Sequence, residues 1–325
     1  MKRREFIALL GGAAAWPVAA RAQQSAMPVI GYLNNGSPES DTFRLTGLRR
    51  GLNETGYFEG RNLVIEYRWA ANQADRLPAL AAELVQLRVA VIVAAGLPPA
   101  LAAKAATSSI PIAFGVGADP VQLGLVASLN RPGGNLTGFN AFATELGAKG
   151  LALLHELVPS TAAIGFLVNS NNPASEVTTR DVLAAAPVMG LKIEILKAGT
   201  DREIDAAFVS LVQARTGALL VGADLFFNSR IEQIVALAAR HAIPTMYSYR
   251  EFVVAGGLIS YGMSLVEQYR QVGLYTGRIL KGERPADLPI MQATKLALII
   301  NLKTAKVLGL DIPAKLLALA DEVIE

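Results

Sequence analysis

Residues 110–141, IPIAFGVGADPVQLGLVASLNRPGGNLTGFNA, decide the fold. Ile110–Val116 is an apolar run of strand length, and Asp119-Pro120 opens a turn. Val121–Leu129 carries helical spacing, a Pro-Gly-Gly-Asn break follows, and Leu136–Phe139 reads as another strand. On both sides of this stretch the chain alternates strands with helices. A break between two α/β halves marks a lobe boundary, and with it a cleft. The stretch is expected to hold a first crossover between lobes near 131–140, with others near 260 and near 290.

Composition supports that reading. The chain has 325 residues, 52% hydrophobic and 18% charged, enough for two lobes with full cores. Lys and Arg (30) slightly outnumber Asp and Glu (27). The excess lies in residues 1–22, where Lys2, Arg3, Arg4 and Arg21 stand against Glu5. The remainder is balanced, which argues against a nucleic-acid partner. The absence of Cys excludes a disulfide framework, a thiolate metal site and a Cys nucleophile. The histidines are His155, within an apolar helical pattern, and His241, at a helix end. Neither a metal nor a cofactor is expected from them.

The N-terminus has the tripartite order of an export signal: a basic start, an apolar run from Phe6 to Val18, and the small-x-small end Ala20-Arg21-Ala22. The run is too short to span a membrane. Arg3-Arg4-Glu5-Phe6-Ile7 also resembles a twin-arginine signal, without the preceding Ser or Thr, so both export routes stay open. The mature protein is expected to begin near Gln23, in the periplasm.

Beyond it, Met27–Leu33 is a strand that runs into Ser37-Pro38, a helix start with Ser37 as N-cap. Free N–H groups there would suit an anion such as a carboxylate, although a plain cap is the simpler reading. Asn62–Trp69 alternates like a half-covered strand, and Val89–Ala95 is a buried one that turns at Gly96-Leu97-Pro98-Pro99 into an Ala-rich helix. Gly117-Ala118-Asp119-Pro120 makes a third strand-to-helix turn on the same edge, where parallel sheets bind ligands. The second half repeats the plan. Strands at Ala163–Val168, Leu191–Leu196, Ala218–Val221, Ile243–Tyr247 and Leu258–Gly262 alternate with helices, and Thr200-Asp201-Arg202-Glu203 is a capping box. The fold expected is α/β: two Rossmann-like lobes with parallel sheets joined by a multi-strand hinge. The first lobe takes 27–138 plus about 261–290, and the second takes 139–260 plus about 291–325.

No nucleophile elbow, phosphate loop or zinc-protease helix is present, so catalysis is not expected. The informative polar residues sit where buried strands end: Asp119, Asn169, Asp224 and Ser248, with Tyr247, Tyr249, Glu251 and Tyr261 nearby. Asp224 directly follows the apolar run ALLVG, where a charge is costly unless paired or facing a cleft. Its alternative role is a helix cap, but the following helix is expected to begin only at Asn228 or Ser229. A carboxylate there suits an ammonium group or sugar hydroxyls, and the aromatic side chains suit an apolar or ring portion of a ligand.

The segments GYLNNGSPES, GLNETGYFEGRNLVIEYRWA, DRLPALAAELV, DPVQLGLVASLNRPGGNLTGFN, VGADLFFNSR and GGLISYG, taken together, resemble one family. It comprises the bacterial ABC-transporter substrate-binding proteins of the tryptophan/tyrosine-binding type, which have the type I periplasmic-binding-protein fold. The resemblance implies a monomer whose lobes close on a small molecule and present it to an ABC permease in the inner membrane. It implies that Ser37 and the Gly96–Pro98 turn face the ligand from the first lobe. Asn140, Asn169, Asp224 and Tyr247 would face it from the second. For an amino-acid ligand, Asp224 would hold the ammonium, and Ser37 with the helix starts would hold the carboxylate. A sensing subunit for a membrane signalling protein is the alternative use of the same fold.

Overall fold

The computed structural model describes residues 27–142, 146–172, 174–293 and 295–325. The expected export signal, residues 1–22, and Pro173 of the polar turn after Asn169 lie outside the described residues.

The strands build two sheets. β1 (Val29–Asn34), β2 (Val64–Trp69), β3 (Val91–Ala95), β4 (Ile112–Val116) and β5 (Leu136–Asn140) form the first. β6 (Ala163–Val168), β7 (Lys192–Lys197), β8 (Ala218–Val221), β9 (Thr245–Tyr249) and β10 (Ile259–Met263) form the second. β11 (Met291–Gln292) returns to the first sheet, and β12 (Ala297–Asn301) and β13 (Glu322–Ile324) complete the second. The first sheet runs β11-β5-β4-β3-β1-β2 and is parallel throughout. The second runs β13-β12-β10-β9-β8-β6-β7, with β10 and β12 antiparallel. The fully apolar strands β3, β4 and β8 are buried along their whole length, as strands covered on both faces must be. In both sheets the strand order reverses after the first strand, between β1 and β3 and again between β6 and β8. Helices leave opposite faces at such a point, and a crevice opens at the carboxyl ends.

Several expectations need correction. The helix expected over Val121–Leu129 is a series of turns: Leu123 N–H donates to Asp119 O at 3.1 Å, and Leu125 N–H to Pro120 O at 2.8 Å. Gly124 adopts φ +67°, which ends the helical path and turns Leu125 and Val126 inward as buried residues. The first crossover lies beyond 131–140, because β5 pairs in parallel with β4 up to Asn140. Asn140, expected on the second lobe, therefore belongs to the first sheet. The chain returns at Ser264, between β10 of the second sheet and the Leu265–Leu280 helix, which packs on the first. It crosses once more between β11 and β12.

The Leu265–Leu280 helix lies directly against the Thr42–Glu54 helix. A Cβ on Gly51 would stand 2.0 Å from the Arg270 carbonyl oxygen, so the two backbones approach closer than any side chain allows. Arg270 clamps the same crossing through paired bonds to Glu54 at 2.8 and 2.7 Å. The contact fixes one wall of the cleft from segments more than two hundred residues apart in sequence.

Candidate functional site

The carboxyl edges of the two sheets meet around a small, partly open cavity of about 60 Å³. The first lobe contributes Arg44, the Gly96-Leu97-Pro98 turn after β3, Gly117 and Ala118 after β4, and Gln268 and Tyr269. The second contributes Asn172, the Ala223-Asp224-Leu225 turn after β8, Asn228 and Tyr249. The lobes touch: Leu225 Cδ2 would lie 3.2 Å from a Cβ on Gly96.

On the first lobe, Asp41 organises a buried polar cluster. It accepts from Tyr32 Oη in a very short hydrogen bond, from Asn34 Nδ2 at 2.8 Å and from Arg44 Nη1 at 2.7 Å. Arg44 also lies over the Tyr269 ring, 5.6 Å from its centroid. Burial opposes the Arg44 charge, but the adjacent Asp41 carboxylate outweighs it and holds the guanidinium firmly ionised. Gln268 is 3% exposed, and its side-chain amide has no hydrogen-bond partner among the described residues. Gln268 lines the cavity, and its amide is not one of the fully buried unpartnered groups of the described residues.

On the second lobe, Asp224 caps the one-turn helix Leu225–Asn228 through Phe226 N–H at 2.7 Å. The helix begins earlier than the sequence suggested, because a single turn over LFFN precedes the main helix Ile231–Arg240. Asp224 also accepts from Asn169 Nδ2 at 2.8 Å and Asn172 Nδ2 at 2.6 Å. Burial pushes its pKa up, with these amides acting against the shift. Among the described residues no cationic side chain pairs with it. The carboxylate thus sits desolvated beside the cavity, held by neutral donors only. Tyr249 also lines the cavity, beside Asn228, and burial pushes its pKa up to about 12.

The other candidates from the sequence fall in different places. Gly96, Leu97 and Asp224 line the cavity, and Asn169 stands behind Asp224 as its donor. Ser37 is half-buried and bonds to the Glu39 carboxylate; the helical turn that follows has no side-chain cap bond. Asp119 caps its own turn, accepting from Val121 N–H at 2.8 Å. Asn140 is fully buried in β5, where Oδ1 accepts from Phe142 N–H at 3.0 Å and Nδ2 has no partner. Tyr247 stacks on Phe252, centroids 4.7 Å apart, in the core of the second lobe. Ser248 Oγ donates to Val221 O at 3.3 Å. Glu251 is buried at the hinge and caps the Leu265–Leu280 helix, accepting from Leu265 N–H and Ser264 Oγ at 2.8 Å each.

Arg44, Gln268, Leu225 and Asn228 did not stand out in the sequence. Arg44 had one usable signal: Asp41 stands three residues before it, on the face that carries Leu45, Leu48 and Leu52. An Asp/Arg pair on an apolar face implies a buried, oriented charge.

Each of the two lobes has its switch point on a shared cleft, and no helix among the described residues is long and apolar enough to cross a membrane. The chain belongs to the ABC transporter substrate binding protein family, whose model matches residues 37–324. It is 28% identical over 265 residues to a tyrosine-binding protein of Clostridioides difficile, covering 82% of this chain and 76% of that one. A Streptococcus pneumonia ABC domain in complex with L-Trp is 26% identical with a TM-score of 0.81, over 91% of this chain and 99% of that one. A ligand-free, open substrate-binding protein with adhesive properties from Clostridium difficile is 27% identical over the same shares, with a TM-score of 0.64. The type I periplasmic-binding-protein fold is therefore present. The lower score against the open protein, at equal coverage, fits the lobe-to-lobe contact seen here.

Proposed function

We propose that this protein is the receptor of an ABC importer, working outside the cytoplasm, and that its ligand is an α-amino acid. The observation that carries the reading is Asp224: a desolvated carboxylate at the cavity wall whose partners are all neutral. A ligand ammonium would supply the missing positive charge. Arg44 and the unpartnered Gln268 amide, on the opposite lobe, suit the ligand carboxylate. A zwitterion bridging the two lobes contacts both only when they are together, so it shifts the population toward the closed form. The closed form is then the one that a membrane permease would recognise. The names of the relatives, tyrosine-binding and L-Trp-bound, support an amino-acid ligand.

Calorimetric titration of the purified protein with a panel of α-amino acids tests this. Binding of at least one, with no turnover, is expected. Binding of sugars or nucleosides alone would refute the reading.

A further inference from the structure

We infer that Glu251 is a positioning residue: a carboxylate of the second lobe that holds the first turn of the Leu265–Leu280 helix of the first lobe and makes this junction the pivot of lobe closure. The inference rests on the receptor reading above and adds to it a residue that acts on the site without touching the ligand.

Glu251 lies in the short helix Arg250–Val254, which packs on β9, β10 and β12 of the second sheet. The Leu265–Leu280 helix packs on β3, β4 and β5 of the first. The chain passes between the lobes at Ser264, and Glu251 grips it there from the side. Its Oε1 accepts from Ser264 Oγ and Leu265 N–H at 2.8 Å each, and from Val266 N–H at 3.4 Å. The first N–H groups of a helix have no partner inside it. Val266 N–H has a second acceptor in Ser264 Oγ, at 3.1 Å, whereas Leu265 N–H relies on Glu251. Glu251 is 2% exposed, and its Oε2 has no partner among the described residues. Burial pushes its pKa up, and the donors at the helix start act against that shift. Pulling the helix away would strand a buried acid, which is costly. A bond beside a crossing segment moves little when the lobes rotate about that segment, so these bonds hold in the open form as well. The same helix start carries Leu265, Gln268 and Tyr269 to the cavity, and Tyr249, two residues before Glu251, reaches it from the second lobe. Glu251 itself stands outside the cavity and sets the register between these two walls. Without it the lobes sample more arrangements, and the apparent affinity falls with the fraction that is competent to bind.

The chain has no Cys, so Leu87→Cys on the first lobe and Val188→Cys on the second, both at exposed positions, give one defined pair of spin labels. Pulsed electron paramagnetic resonance then reads the distance between the lobes in the ligand-free protein. Glu251→Ala should broaden the distance distribution. Glu251→Gln, which keeps the shape and a neutral, weaker acceptor, should fall between it and the parent. Unchanged distributions in the folded variants overturn the inference, even with a lowered melting temperature, because that is the pattern of a purely structural residue. If Glu251→Ala does not fold, Glu251→Gln decides alone. Hydrogen exchange at the Leu265 amide should be slow without ligand; fast exchange there would mean that the bond forms only on closure, and the pivot is lost. Where L-tyrosine or another amino acid binds, Glu251→Ala should raise its Kd about tenfold, and an unchanged Kd breaks the link to the site. Failure of every amino acid to bind strikes the ligand reading, while the distances still decide the role of Glu251.

Discussion

Replacing Asp224 by Asn removes one charge from the site and little else. In the wild-type protein the carboxylate accepts from Phe226 N–H, Asn169 and Asn172. An Asn that keeps its oxygen toward Phe226 and Asn169 turns its NH2 toward the Asn172 amide, so one hydrogen bond is lost, a cost of about 1 kcal/mol. Against that, the variant no longer ionises a desolvated group, the process that burial opposes in Asp224. The two effects have opposite signs, and the ligand-free stability should change by no more than about 1 kcal/mol. Binding is different. Removing one partner of a buried charge pair costs about 2–5 kcal/mol. The neutral amide can still accept one hydrogen bond from the ammonium, which places Asp224→Asn near the lower end, about 3 kcal/mol or roughly a hundredfold in Kd. The assay is calorimetric titration beside urea denaturation on the same preparation. An affinity within about threefold of wild type, in a folded variant, would refute the assignment of Asp224 to the ligand.

Further outcomes follow from the same geometry. Burial raises the Asp224 pKa, so its contribution to ligand-free stability is complete below the ordinary aspartate range and is lost as pH rises through the raised value. The ammonium needs the ionised form, so affinity should climb over that window and level off above it. Glu251 is raised by burial too, but Asp224→Asn should flatten the binding curve alone. Gln268→Ala should weaken binding about tenfold with no loss of stability, since its amide has no protein partner; a drop in melting temperature with unchanged Kd would show it to be structural. Gly51→Ala should cost about 2 kcal/mol in urea denaturation, because overpacking against the Arg270 carbonyl outweighs the helix propensity gained.

The architecture was legible because its signals are local. Continuous apolar runs mark β3, β4 and β8, and the polar turns after them mark one edge of each sheet. Val121–Leu129 misleads because its apolar spacing is helical, while Gly124 takes a left-handed conformation that spacing does not reveal. Asp224 was legible as a cleft residue through its place after an apolar strand, but its capping role depended on a single helical turn too short to leave a periodic trace. Tyr247 and Tyr249 share one face of β9, yet only Tyr249 is far enough along the strand to reach the cavity. Arg44 and Gln268 were hidden for another reason. They sit on amphipathic helices among buried apolar residues, and only the tight crossing at Gly51 brings them to one wall.

Ligand-driven closure depends most on a zwitterion bridging the two lobes. The direct measurement is the affinity of the tightest-binding amino acid compared with its analogue lacking the ammonium and with its carboxamide. Both analogues should bind at least about a hundredfold more weakly, because one leaves Asp224 without a cationic partner and the other removes the carboxylate offered to Arg44 and Gln268. Equal binding of the deaminated acid would contradict the role given to Asp224, and with it the central claim.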